Sequence, residues 1–105
     1  MRGPARFSRV ARREFAQALE DMEHPSAAER LRRDIADAAR RIGRNPLLGS
    51  LRPHLPPPYR FWSLPRFGYV LVYDPRTDPV EILRFVHTKR DLPRLLADLR
   101  DAPEE

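Results

Sequence analysis

Apolar and polar positions change rhythm along the chain. From Arg9 to about Glu23, Val10, Ala11, Phe15, Ala18, Leu19 and Met22 recur at helical spacing, with Arg12, Arg13, Gln17, Glu20 and Asp21 mostly opposite. Ser8 precedes them where its hydroxyl can satisfy an orphan amide of the first turn. His24 and Pro25 stop this pattern, because proline disfavours helix in the residue before it. Ser26 and Glu29 then have capping-box spacing, which predicts a second helix to about Arg44. Ala28, Leu31, Ile35, Ala38 and Ile42 form its narrow apolar seam, and Asn45, Pro46 and Gly49 end it. Two such helices joined by a tight turn predict an antiparallel hairpin.

After Tyr59 the period falls to two. "RFWSL" (60–64), "YVLVY" (69–73) and "VEILRFVH" (80–87) read as strands separated by the turns "PRFG" and "DPRTDP". The middle run is apolar on both faces and belongs inside the sheet. In the last run Val80, Ile82, Arg84 and Val86 alternate with Glu81, Leu83, Phe85 and His87, which puts Arg84 on an exposed sheet face where removing it costs little stability. Residues 46–58 are too proline-rich for helix or inner strand and read as a connector. "ARFS" (5–8) reads as a short edge strand or lead-in, and Asp91 as the cap of a short C-terminal helix with Pro93 in its first turn. The expectation is one α+β domain over residues 1–105: a two-helix antiparallel hairpin packed on a small antiparallel sheet, made of a short N-terminal strand and a three-stranded meander, with a short C-terminal helix.

Composition narrows the class. Hydrophobic residues make up 41% and charged residues 33%, which is globular rather than disordered. Without cysteine, disulfides and thiolate-bound metals are excluded. No segment approaches the ~20 apolar residues of a membrane span, and the basic N-terminus lacks the apolar stretch of a signal peptide, so the expected place is the cytoplasm. The net charge of +5 suits an acidic partner or phosphates, or simply solvated faces. Its spread along the chain argues against a direct nucleic-acid binder.

The polar knot at 87–91, His87-Thr88-Lys89-Arg90-Asp91, is the candidate site. It could be a catalytic cluster, a docking surface, or a strand end that happens to be polar. Histidine as a residue type can serve as a general base near neutral pH, but a histidine at a strand end, like His87, more often orients a loop. Arg84 could meet a partner or a phosphate, or form a cross-strand ion pair. No two histidines have metal-ligand spacing; there is no glycine-rich phosphate loop and no nucleophile elbow, so neither metal nor cofactor is expected. The residues alone do not reach a reaction.

Read in order, "FSRVARREF", "IADAARRIGRNPLLGSLRP", "FGYVLVYDP" and "VEILRFVHTKRDLPRLL" resemble the RelE/ParE superfamily of type II toxin–antitoxin toxins, and the last piece resembles its ParE, or plasmid-stabilisation, branch. The resemblance runs from about Phe7 to Leu96. It implies a toxin that inhibits DNA gyrase by binding, neutralised by a cognate antitoxin whose segment folds on it. The alternative is a RelE-like ribosome-dependent mRNA interferase. Aligned without gaps over 61–96, the basic residues of that enzyme would fall on Phe61, Ser63 and Val70 and its late tyrosine on Leu96, leaving only Lys89 and Arg90. That departure implies a chain that is not an enzyme. The ParE resemblance gives Arg84, His87, Lys89 and Arg90 a target-contact role.

Overall fold

In the computed structural model, residues 3–53, 55–89, 92–95, 97 and 99 are described. The elements are β1 (Arg6–Phe7), α1 (Arg9–Glu20), α2 (Pro25–Arg44), β2 (Arg60–Leu64), β3 (Tyr69–Asp74), β4 (Glu81–His87) and a helical turn, α3 (Leu92–Leu95). The cap assigned to Asp91 lies outside the described residues.

The sheet order is β1-β4-β3-β2, so the two-sided apolar strand β3 lies inside, as its pattern predicts. β2 and β4 are antiparallel to β3, but β1 runs parallel to β4, pairing Arg6 with Glu81 and Phe7 with Ile82. The sheet is therefore mixed, not antiparallel. A strand of two residues has no pattern from which direction can be read, and the connection through α1, α2, β2 and β3 is long enough to return the chain either way round.

Two other expectations change. The capping box does not form. His24 is the N-cap of α2, Pro25 fills its first turn, and the Ala27 and Ala28 amides donate to the His24 carbonyl. A proline needs no partner for its missing N–H, so the helix starts there and Ser26 lies inside it. The alternation of β4 also breaks: the register shifts between Val72 and Tyr73, which pair with Arg84 and Ile82, leaving Leu83 as the extra residue. Such a bulge inverts the facing of everything beyond it. Ile82 and Phe85 consequently share one core cluster while Val86 joins the other.

The sheet is buried on both faces. On one, Leu31, Ile35, Ala38 and Ile42 of α2 and Ala11 and Ala18 of α1 pack with Leu64, Leu71, Tyr73, Ile82 and Phe85. Val10 misses this face and is exposed. On the other, Phe61, Val70, Val72 and Val86 lie under Leu55 and Tyr59 of the proline-rich segment, with Leu99 alongside. The connector is thus a cover for a second core. The lead-in crosses α2 closely: the Ala5 amide donates to the Ala39 carbonyl at 2.8 Å, and a side chain at Gly43 would strike the Gly3 carbonyl.

The segment after α2 is held from beneath. The buried Tyr73 hydroxyl donates to the Pro46 carbonyl at 2.7 Å and accepts from the Gly49 amide at 2.8 Å. Burial pushes its pKa above the ordinary tyrosine value, although the Gly49 hydrogen bond and the Arg60 charge pull the other way. A Cβ at Gly49 would lie 2.5 Å from the Phe61 carbonyl oxygen and 2.7 Å from the Tyr73 hydroxyl, so no larger residue fits. At the far end of β3, Asp74 is 8% exposed and accepts from the Arg76 amide, Nε and Nη2 at 2.9, 3.0 and 3.0 Å. Burial alone would raise the Asp74 pKa, but the hydrogen bonds and charge of Arg76 outweigh it and hold the carboxyl below its ordinary value.

Tyr73→Phe leaves two backbone groups without their partner, and we expect a loss of about 1–3 kcal/mol in urea unfolding. An unchanged midpoint would mean that water takes over both bonds. Because the folded pKa of Asp74 is depressed, its contribution is complete above the unfolded carboxylate value of about 3.9 and disappears as pH falls through the lower folded value. Asp74→Asn is therefore expected to flatten the acid limb of the stability–pH curve; an acid limb identical to that of the native chain would refute this.

Candidate functional site

The candidate residues lie along the seam between α1 and β4. β1 covers only the start of β4, so beyond Ile82 the outer edge of that strand needs other partners. Ser8 supplies the first. Its amide donates to the Ile82 carbonyl at 2.8 Å, and its hydroxyl donates to the Leu83 carbonyl at 3.0 Å while accepting from the Ala11 amide at 3.1 Å. The predicted cap of α1 therefore also splices that helix to β4.

Glu14 supplies the next partner. Its Oε1 accepts the Phe85 amide at 2.9 Å and Arg84 Nε at 3.0 Å, and its Oε2 accepts Arg84 Nη2 at 2.8 Å. The Arg84 and Glu14 side chains are only 13% and 23% exposed. The reading of Arg84 as an exposed residue does not hold: its guanidinium reaches Glu14 of α1, which takes its charge. Sequence pattern missed Glu14. Its one signal is that the first acidic residue of the chain stands beside Phe15, at the border of the apolar face of α1.

Aromatic rings carry this seam to the polar knot. Phe7 meets Phe15 at 5.4 Å, Phe15 meets Phe85 edge-on at 5.5 Å, and Phe85 stacks on Tyr69 at 4.6 Å. Tyr69 meets the His87 ring edge-on at 5.0 Å. The His87 Nδ1 accepts the Lys89 amide at 3.1 Å, which makes this histidine the organiser of its own loop. Thr88 donates its amide and hydroxyl to the Gly68 carbonyl, at 2.8 and 3.0 Å. Gly68 has φ of 70°, and its Cβ position lies 3.3 Å from the His87 ring, so a glycine suits this turn on both counts.

A groove of about 320 Å³ opens here, lined by Arg13, Gln17, Asp21, Tyr69 and His87 above the Glu14–Arg84 pair. The structure thus brings Arg84 and His87 to one groove and leaves Lys89 exposed beside it, while Arg90 lies outside the described residues. The groove offers hydrogen-bonding and charged groups of both signs on an aromatic floor, a surface suited to holding a polypeptide. Among the described residues no three His, Asp or Glu side chains converge as a metal site would require, and no described helix is long and apolar enough to cross a membrane.

Residues 5–92 match the family described as the ParE toxin of the type II toxin–antitoxin system, parDE. The chain belongs to that family. It is therefore the toxin component of a type II system, whose partner is an antitoxin, and it lies in the ParE branch of the RelE/ParE superfamily. No curated protein shows significant similarity to it. The match takes in α1, α2, the four described strands and the seam, including Arg84, His87 and Lys89 of the toxin.

Arg84→Ala leaves the Glu14 carboxylate without its cation, and at this partial exposure we expect a loss of about 1–3 kcal/mol, read as a lower urea midpoint. In a double-mutant cycle with Glu14→Gln the two losses should not add. Additive or negligible losses would make the pair incidental to the fold.

Proposed function

We propose that this toxin acts by binding, with DNA gyrase as its target in the cytoplasm, and that a cognate antitoxin neutralises it. Family membership carries the reading, and the buried face of the sheet supports it. Positions where a RelE-like nuclease would hold basic residues are occupied by Phe61 and Val70, both 2% exposed in the second core, and by the uncharged Ser63. Cleaving RNA requires stabilised phosphate charge and placed proton donors and acceptors. Here Phe61 and Val70 are core packing under a proline-rich cover, and the exposed Ser63 carries no charge. Leu96, aligned with the late tyrosine, lies outside the described residues. His87, in the polar knot, already spends Nδ1 on the Lys89 amide. The chain on this reading is not an enzyme, and Lys89, Arg90 and the groove around His87 make the target contact. Arg84 serves that contact by holding α1 against β4.

The test is gyrase supercoiling of relaxed plasmid with increasing toxin, with and without antitoxin. We expect inhibition with accumulation of cleaved DNA, reversed by antitoxin. Full supercoiling in the presence of a folded toxin that binds its antitoxin would remove gyrase as the target.

A further inference from the structure

Charge is divided unevenly along this chain. Residues 38–73 contain six arginines and no acidic residue, so this stretch alone is more positive than the whole chain's net +5, and all fifteen acids lie outside it. The same stretch carries three of the four large hydrophobics that are exposed among the described residues: Leu47 at 66%, Leu48 at 38% and Leu51 at 54%. They fall within five residues of one loop.

The loop is fixed in place. Tyr73 holds Pro46 and Gly49 from below, and Arg60 Nη1 donates to the Leu47 and Gly49 carbonyls at 3.2 and 2.7 Å. Ser50 and Phe61 exchange two backbone hydrogen bonds, at 2.9 and 2.8 Å, which lays the loop along the outer edge of β2. No described strand lies beyond β2. A preformed aliphatic patch with a cationic rim of Arg44, Arg52 and Arg60 binds at low ordering cost, because nothing in it must fold to meet a partner. Contiguous exposed apolar surface rimmed by polar groups marks an interaction site.

The chemistry selects a protein rather than a nucleic acid. Single-stranded nucleic acid wants open aromatic faces for its bases. Here the aromatic residues are covered: Arg41 lies 5.0 Å over Trp62 and Arg52 lies 5.3 Å over Phe61. What remains open is leucine bounded by arginine, the complement of a polypeptide that carries aliphatic side chains among carboxylates.

We infer that the Leu47–Leu48–Leu51 patch with its Arg44/Arg52 rim is a docking site for an acidic, aliphatic-bearing segment of the antitoxin, distinct from the His87 groove. This rests on the reading that an antitoxin neutralises the chain. The test is isothermal titration of the full-length toxin with its antitoxin. Leu47→Asp/Leu51→Asp should raise Kd by at least about tenfold, as loss of central apolar anchors does, with the melting temperature unchanged because both side chains are exposed. Leu47→Met/Leu51→Met should bind like the native toxin. Arg44→Glu/Arg52→Glu should weaken binding and reduce its dependence on salt. Native affinity in the aspartate variant overturns the site. Failure of the native toxin to bind antitoxin overturns the neutralisation reading instead, and this occupant with it. Salt-dependent binding of a DNA duplex that is lost in the glutamate variant, with antitoxin affinity intact, would make the surface a nucleic-acid site and refute the proposal.

Discussion

The Glu14 carboxylate stands where a strand would otherwise have to be. β1 is two residues long, so the outer edge of β4 leaves its backbone groups unpaired from Leu83 onward. Glu14 takes the Phe85 amide and Ser8 takes the Leu83 carbonyl, so the first helix finishes what the first strand begins. A carboxylate so little exposed needs a cation, and Arg84, the neighbour of Phe85 on β4, supplies it. The ion pair ties α1 to β4 beside the Phe15, Phe85 and Tyr69 rings, and both of its residues line the His87 groove. It also closes an edge that would otherwise invite another chain.

Once both faces of the sheet are buried, little of it is left for chemistry. The helices take one side and the proline-rich cover takes the other. What the toxin presents outward is the seam end at His87, the basic outer side of α2, and the leucine loop beyond it. The proposed binding role uses these outward surfaces, since the sheet residues are committed to packing.

Much of this could be seen in the residues alone. The period-3.6 runs gave both helices, the seam from Leu31 to Ile42 proved to be core, and the two-sided "YVLVY" lies inside the sheet because only a strand covered on both sides can be apolar on both. Ser8 caps α1 as its hydroxyl suggested. What stayed hidden depends on contacts between distant segments. Strict alternation assumes no bulge, so Arg84 was assigned to an open face. Ser26 and Glu29 had the spacing of a capping box, but Pro25 at the first turn started the helix earlier. Glu14 looked like one acid among arginines, because its partners lie some seventy positions further on. The candidate site was visible as a polar knot at 87–91, and the groove that gives it shape was not, since its other wall belongs to α1.

That separation has a consequence for synthesis. Arg6, Ser8 and Glu14 bond to backbone groups of Val80, Ile82, Leu83 and Phe85. A ribosome makes the first helix well before it makes the strand that helix must brace, and contacts between the two ends of a chain close late. While β4 is still unmade, the N-terminal segment has neither its sheet nor the counter-charge for Glu14, and the His87 groove does not exist. The surface beside His87 is therefore a late product of the chain: it takes shape only when the last strand docks against a helix made some seventy residues earlier.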